Sequence, residues 1–152
     1  MTNLVGPNTM AASQDEIRKW LEQGFRDAPF VADVGIALED LGPGWCEATL
    51  ALQPRHMQHH GVVHAGVIAT MADHCAGAAA TTMLGEGEAV MTVEFKVNLL
   101  RAARGDSLRC RAQVLKPGKT FCVVESEVYA NAGGKEDLVA KLNATLAVIR
   151  TK

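Results

Sequence analysis

The stretch from Ala65 to Leu84 constrains this chain more than any other. It is apolar on nearly every side and built from small residues, with Ala69, Ala72, Ala76, Gly77, Ala78, Ala79 and Ala80 in close succession. A helix without a polar face is buried, and its small side chains let a surrounding sheet come close. The same stretch carries Asp73 and His74. Charge near the middle of a lipid-spanning helix is costly, so this reads as the central helix of a globular core, and no membrane partner is expected. A buried carboxylate must find partners or take up a proton, and that expense is commonly tied to function. Asp73 is therefore the first candidate for chemistry.

The flanking segments supply a sheet. Residues 1 to 12 read as a flexible leader, and residues 13–152 as a single domain. Ser13 and Glu16 form a capping box, and Ile17, Trp20, Leu21 and Phe25 follow at helical spacing, which predicts a short amphipathic helix to about Gly24. Two strands are predicted over Val34–Leu41 and Trp45–Leu52, with Gly42-Pro43-Gly44 between them. After the central helix, Ala89–Leu99, Ser107–Leu115, Thr120–Ala130 and Leu138–Ile149 are strand-prone, and short turns separate most of them. Short connections favour antiparallel neighbours. The fold class is α+β, an antiparallel sheet of about six strands wrapped round one long helix.

Composition narrows the rest. The 152 residues are 48% hydrophobic and 21% charged, which suits one globular domain, and the net charge of -2 leaves no basic excess for gripping nucleic acid. The opening ten residues lack a basic segment followed by an apolar one, so a cytoplasmic location is expected. The cysteines at 46, 75, 110 and 122 make no CxxC pair and are expected to be reduced, packed as small apolar side chains.

The segment Gln58-His-His-Gly-Val-Val-His64-Ala-Gly-Val-Ile-Ala-Thr-Met-Ala-Asp73 resembles the signature of hotdog-fold thioesterases, most of all the phenylacetate-pathway (PaaI-type) branch. That signature has a polar amide, then His-Gly-Gly, an apolar run, and a carboxylate nine residues after the histidine. Met91 to Asp106 resembles the family's central strand and following turn, and Lys116-Pro-Gly-Lys-Thr120 its next hairpin. Two departures stand out: His64-Ala65-Gly66 replaces His-Gly-Gly, and Gln58 stands where the branch commonly has asparagine.

The resemblance implies an acyl-CoA thioesterase needing no metal or organic cofactor, coenzyme A being part of the substrate. It also implies a homodimer with sites between subunits, often a dimer of dimers. Asp73 would act as nucleophile or as general base toward water, two routes the sequence does not separate. The first backbone N–H groups of a helix starting near His64 lack intrahelical partners, so those of Ala65 and Gly66 are candidate oxyanion donors. Asp73 lies nine residues further on, roughly 13 Å along the axis. It cannot reach a carbonyl held by its own helix start, which calls for two subunits. Thr92 would orient Asp73 or the water, Gln58 would hydrogen-bond near the carbonyl, and His64 would fix the loop and helix start. Arg101, Arg104, Lys116 and Lys119 are candidates for holding coenzyme A phosphates.

Other readings stand beside these. Asp73 can be a structural acid, and Thr92 an ordinary strand residue. His56, His59, His60, His64 and His74 suggest a metal, but without an HExxH pattern a polar loop explains them, and no metal is expected. Two alternative functions are open: a non-catalytic acyl-CoA or aromatic-ligand binding protein, favoured by a crowded Ala65, and a hydratase.

Overall fold

The structure, a computed structural model, describes residues 7–9 and 11–150. Most of the leader lies outside the described residues. Its described end is held: the Thr9 hydroxyl donates to the Leu84 carbonyl, and Ala12 packs against the core.

Helix α1 spans Gln14–Asp27. The capping box forms as expected, with Ser13 Oγ accepting from the Glu16 N–H and the Glu16 carboxylate accepting from the Ser13 N–H at 2.8 Å. Ile17, Leu21 and Phe25 are buried, and the stripe carries the helix past Gly24. It stops because Pro29 disfavours helical geometry at Ala28, which is extended. Pro29 then starts helix α2, Pro29–Val34, which ends at Gly35 with φ of 92°. The strand expected from Val34 therefore begins only at Ala37.

Strands β1 (Ala37–Gly42) and β2 (Trp45–Ala51) form a hairpin, followed by a short 3-10 turn over Pro54–His56. Helix α3 covers Ala65–Thr81, three residues short of the expected end. Thr81 and Thr82 close it by donating their hydroxyls to the Gly77 and Ala79 carbonyls. Strands β3 (Glu88–Leu99), β4 (Ser107–Pro117), β5 (Phe121–Ala132) and β6 (Lys135–Arg150) complete one antiparallel sheet in the order β1-β2-β4-β5-β6-β3. This is the sheet wrapped round a helix that the sequence implies. Ala72, Ala76 and Ala79 of α3 share one buried core with Ala48, Ala112, Ala140 and Ala144 of the sheet, and all are at most 2% exposed. The close approach lets Ser126 Oγ donate to the Ala72 carbonyl at 2.9 Å.

The two sheet edges differ. At the β1 edge, α1 packs alongside and Arg18 pairs with Asp40. The β3 edge is twelve residues long and pairs with no further strand among the described residues, with Met91 62%, Val93 58% and Phe95 44% exposed. Long apolar edges of this kind are templates for pairing. Opposite β6 the register slips between Thr92 and Glu94, so Val93 forms a bulge directly beside Thr92. Helix α3 is not buried all round either: Gly66, Thr70, Asp73 and Gly77 lie along one strip that is only partly covered or exposed.

Candidate active site

Two clefts flank α3, one at its start and one further along. The second, about 470 Å³, contains Asp73. Helix α3 brings Asp73 to the partly covered strip, and β3 brings Thr92 opposite it. The Thr92 hydroxyl donates to Asp73 Oδ1 at 2.8 Å. Asp73 Oδ2 receives no donor among the described residues. The bulge at Val93 is the local device that sets Thr92 against α3, since bulges re-aim side chains next to sites.

His74 sits in the same cleft with its ring edge-on to Phe25, centroids 4.4 Å apart. Burial pushes its pKa below the ordinary histidine value, against the opposing pull of the Asp73 charge. It therefore favours the neutral form beside the carboxylate. Trp20 and Phe25 of α1 roof the cleft, a role sequence reasoning missed. Their helical spacing marked them as apolar, but which cavity they cover depends on tertiary packing.

The first cleft, about 610 Å³, is lined by Gln58, His64 and Ala65 together with Leu99, Leu100 and Arg101. His64 caps α3 directly: its Nδ1 accepts from the Gly66 N–H at 2.9 Å. Nδ1 thus carries no proton, and the ring proton belongs on Nε2. The Gly66 N–H is consumed by this bond. Of the two oxyanion donors expected at the helix start, Ala65 is the one whose N–H has no acceptor among the described residues. Gly66 has a different job, because a Cβ there would stand 3.0 Å from His64 Nδ1 and 3.3 Å from Cε1. Gly66→Ala is expected to displace the His64 ring and cost about 1 kcal/mol of cap stability, read as a lower thermal midpoint.

Gln58 is oriented by its own loop. Its Oε1 accepts from the His60 N–H at 2.5 Å, so the amide NH2 is the end available to a ligand. The loop is pinned by His56, which is buried, with Nδ1 accepting from the Gln53 N–H and Nε2 donating to the Val34 carbonyl at 2.8 Å. His59 and His60 are exposed at the loop tip, while His74 belongs to the other cleft.

The four basic candidates do not form one cluster. Arg101 and Arg104 follow β3 near the start of β4, and Lys116 and Lys119 lie at the other end of β4. Ser107 pairs with Asn131 and Lys116 with Val123, nine residues apart along the strand, or about 30 Å. Arg104 donates to the Gly61 carbonyl at 2.8 Å, and Arg101 stands 3.5 Å from Asp137. Lys116 and Lys119 are exposed. The four cysteines are buried and unpaired with one another. Cys75 donates to the Cys46 carbonyl, and burial pushes its thiol well above the ordinary range, which removes it as a nucleophile. Among the described residues no helix is long and apolar enough to cross a membrane.

A carboxylate held by a hydroxyl, on a central helix whose start presents an unpaired N–H, is an arrangement suited to acyl transfer. The family model described as "Thioesterase superfamily" matches residues 60–136, half of the chain, a stretch that includes His64, Ala65, Asp73 and Thr92. The chain belongs to the thioesterase superfamily. Superfamily membership makes it a thioester hydrolase in general class. A curated Haemophilus influenzae relative, described provisionally as an esterase, is 31% identical over 119 residues, covering 78% of this chain and 84% of its own. The crystal structure of a thioesterase family protein from Silicibacter pomeroyi superposes with a TM-score of 0.85 at 36% identity, covering 88% of this chain and 98% of that one. The Escherichia coli PaaI protein of the phenylacetic acid degradation operon has the same fold, with a TM-score of 0.81 at 19% identity over 93% of this chain and 99% of its own.

Proposed function

We propose that this superfamily member hydrolyses acyl-CoA thioesters at two equivalent sites, each built between two copies of the chain. The observation that carries this reading is the separation of the parts within one chain: the unpaired Ala65 N–H opens one cleft, and the Asp73–Thr92 pair occupies the other. Eight residues of helix lie between them, about 12 Å. A second chain closes the gap. If two β3 edges pair antiparallel about a two-fold axis, the α3 start of each protomer faces the Asp73 region of the other. The same operation moves Arg101 and Arg104 of one protomer toward the end where its mate carries Lys116 and Lys119. At that end of the joined sheet the four basic side chains are the candidates for holding the coenzyme A phosphates.

At such a site the thioester oxygen takes hydrogen bonds from the Ala65 N–H and the Gln58 amide. Preorganised donors of this kind are worth roughly 3–4 kcal/mol each in the barrier. Asp73, held by Thr92 through Oδ1, uses Oδ2. As a base it takes a proton from water as the water oxygen bonds to the carbonyl carbon. The tetrahedral oxyanion then collapses, the C–S bond breaks, and the proton leaves with the coenzyme A sulfur. As a nucleophile it bonds to the carbonyl carbon itself and expels the thiolate, and water cleaves the resulting anhydride. Both routes use protein groups and water alone.

Thiol release across acetyl-, hexanoyl-, decanoyl-, benzoyl- and phenylacetyl-CoA tests the reading. Turnover of at least one, well above the spontaneous rate, is expected. Tight binding without turnover would instead make the protein a ligand-binding module, and enoyl absorbance changes would make it a hydratase.

A further inference from the structure

The geometry points to the cleft under α1 as an acyl chamber for uncharged, apolar acyl groups, its length set by Gly24 and Gly77. This deepens the proposed function and rests on it. The chamber begins at Asp73 and Thr92, where the thioester carbonyl would sit, and runs along α3 beneath α1 to Thr81 and Leu84. Asp73 to Thr81 is eight helical residues, about 12 Å. An extended chain advances about 1.2 Å per bond, so roughly ten bonds fit.

Two glycines line this cleft, Gly24 in α1 and Gly77 in α3. Each stands inside a helix, where glycine is unfavourable relative to alanine. Neither is required by crowding, since a Cβ at either position would meet nothing within 4 Å. Gly66, by contrast, is crowded by His64. Neither helical glycine adopts a positive φ. What the two share is a place on the wall of the open cleft between α1 and α3, where each leaves room for a larger side chain.

The charges along the cleft restrict what it accepts. Among the described residues its ionisable lining is Asp27, Asp73 and Glu88, with His74 edge-on to Phe25, and includes no lysine or arginine. Glu88 is met from outside by Arg150 at 3.7 Å. Among the described residues Asp27 is met only by the neutral Gln23 amide, at 2.6 Å. A second carboxylate at the far end of an acyl group would meet like charge, with no cation among the described lining residues to receive it.

Thiol release measured with acetyl-, hexanoyl-, decanoyl- and succinyl-CoA, with butyryl-CoA as the length match for the last, tests this. The wild-type chain is expected to prefer the apolar acyl groups and to disfavour succinyl- against butyryl-CoA by tenfold or more. Gly77→Leu, and independently Gly24→Leu from the opposite wall, are expected to lower kcat/KM for decanoyl-CoA at least tenfold more than for acetyl-CoA. Circular dichroism melts check that both variants fold, and Gly24→Leu adds a helix-favouring residue at an exposed position. An unchanged chain-length profile in both variants, or succinyl-CoA matching butyryl-CoA, would overturn the chamber while leaving thioester hydrolysis intact. No hydrolysis of any thioester would overturn the reading beneath it and the chamber with it.

Discussion

Asp73→Asn is expected to lower kcat/KM by about a thousandfold without unfolding the protein, the magnitude usual for loss of a positioned base. The substitution keeps shape and keeps an oxygen to accept the Thr92 hydroxyl, so the 2.8 Å contact survives. What is lost is the negative charge and the basic lone pair. If Asp73 were a structural acid, asparagine would satisfy the same hydrogen bond and activity would persist. Steady-state thiol release and a thermal melt on the same sample separate the two cases. Wild-type turnover in this variant would remove Asp73 from the chemistry.

The second large effect is expected at the open sheet edge. Met91→Lys combined with Val93→Lys places two charges on β3, where both native side chains are more than half exposed. In an isolated chain these changes touch little of the core. On an edge that pairs with a second copy they are disruptive, since lysine on an edge strand is a device against pairing. Sedimentation velocity is expected to show a monomer. Activity is expected to fall at least a hundredfold, because each half-site loses its complement. A monomer that kept full activity would place the whole site within one chain.

The central helix was legible because its composition leaves no polar face to expose, and the strands because their turns are rich in glycine and proline. Helix α2 was not. It has six residues, and its apolar Val31 and Val34 run straight into the apolar start of β1, so no period could separate them. The capping role of His64 was only partly legible, since histidine is not a usual N-cap and the ring position depends on the absence of a side chain at Gly66. Arg101, Arg104, Lys116 and Lys119 are candidates for one role in the sequence because each pair lies in a turn that follows a strand. In an antiparallel sheet successive turns fall at opposite ends, which is why register separates them. The roof of Trp20 and Phe25 over Asp73 was beyond the sequence because it is made by packing between elements far apart in the chain.

A site shared between chains is tested most directly by complementation. Ala65→Pro removes only the proposed donor: its N–H has no acceptor among the described residues, proline suits the first position of a helix, and His64 already has the extended ψ of 135° that precedes proline. Asp73→Asn removes only the carboxylate. Each variant alone is expected to be nearly inactive. When the two are refolded together, about a quarter of wild-type activity is expected, because half of randomly formed dimers are mixed and each mixed dimer has one intact site of two. A mixture no more active than its parents would contradict a site in which one chain's helix start serves the other chain's Asp73.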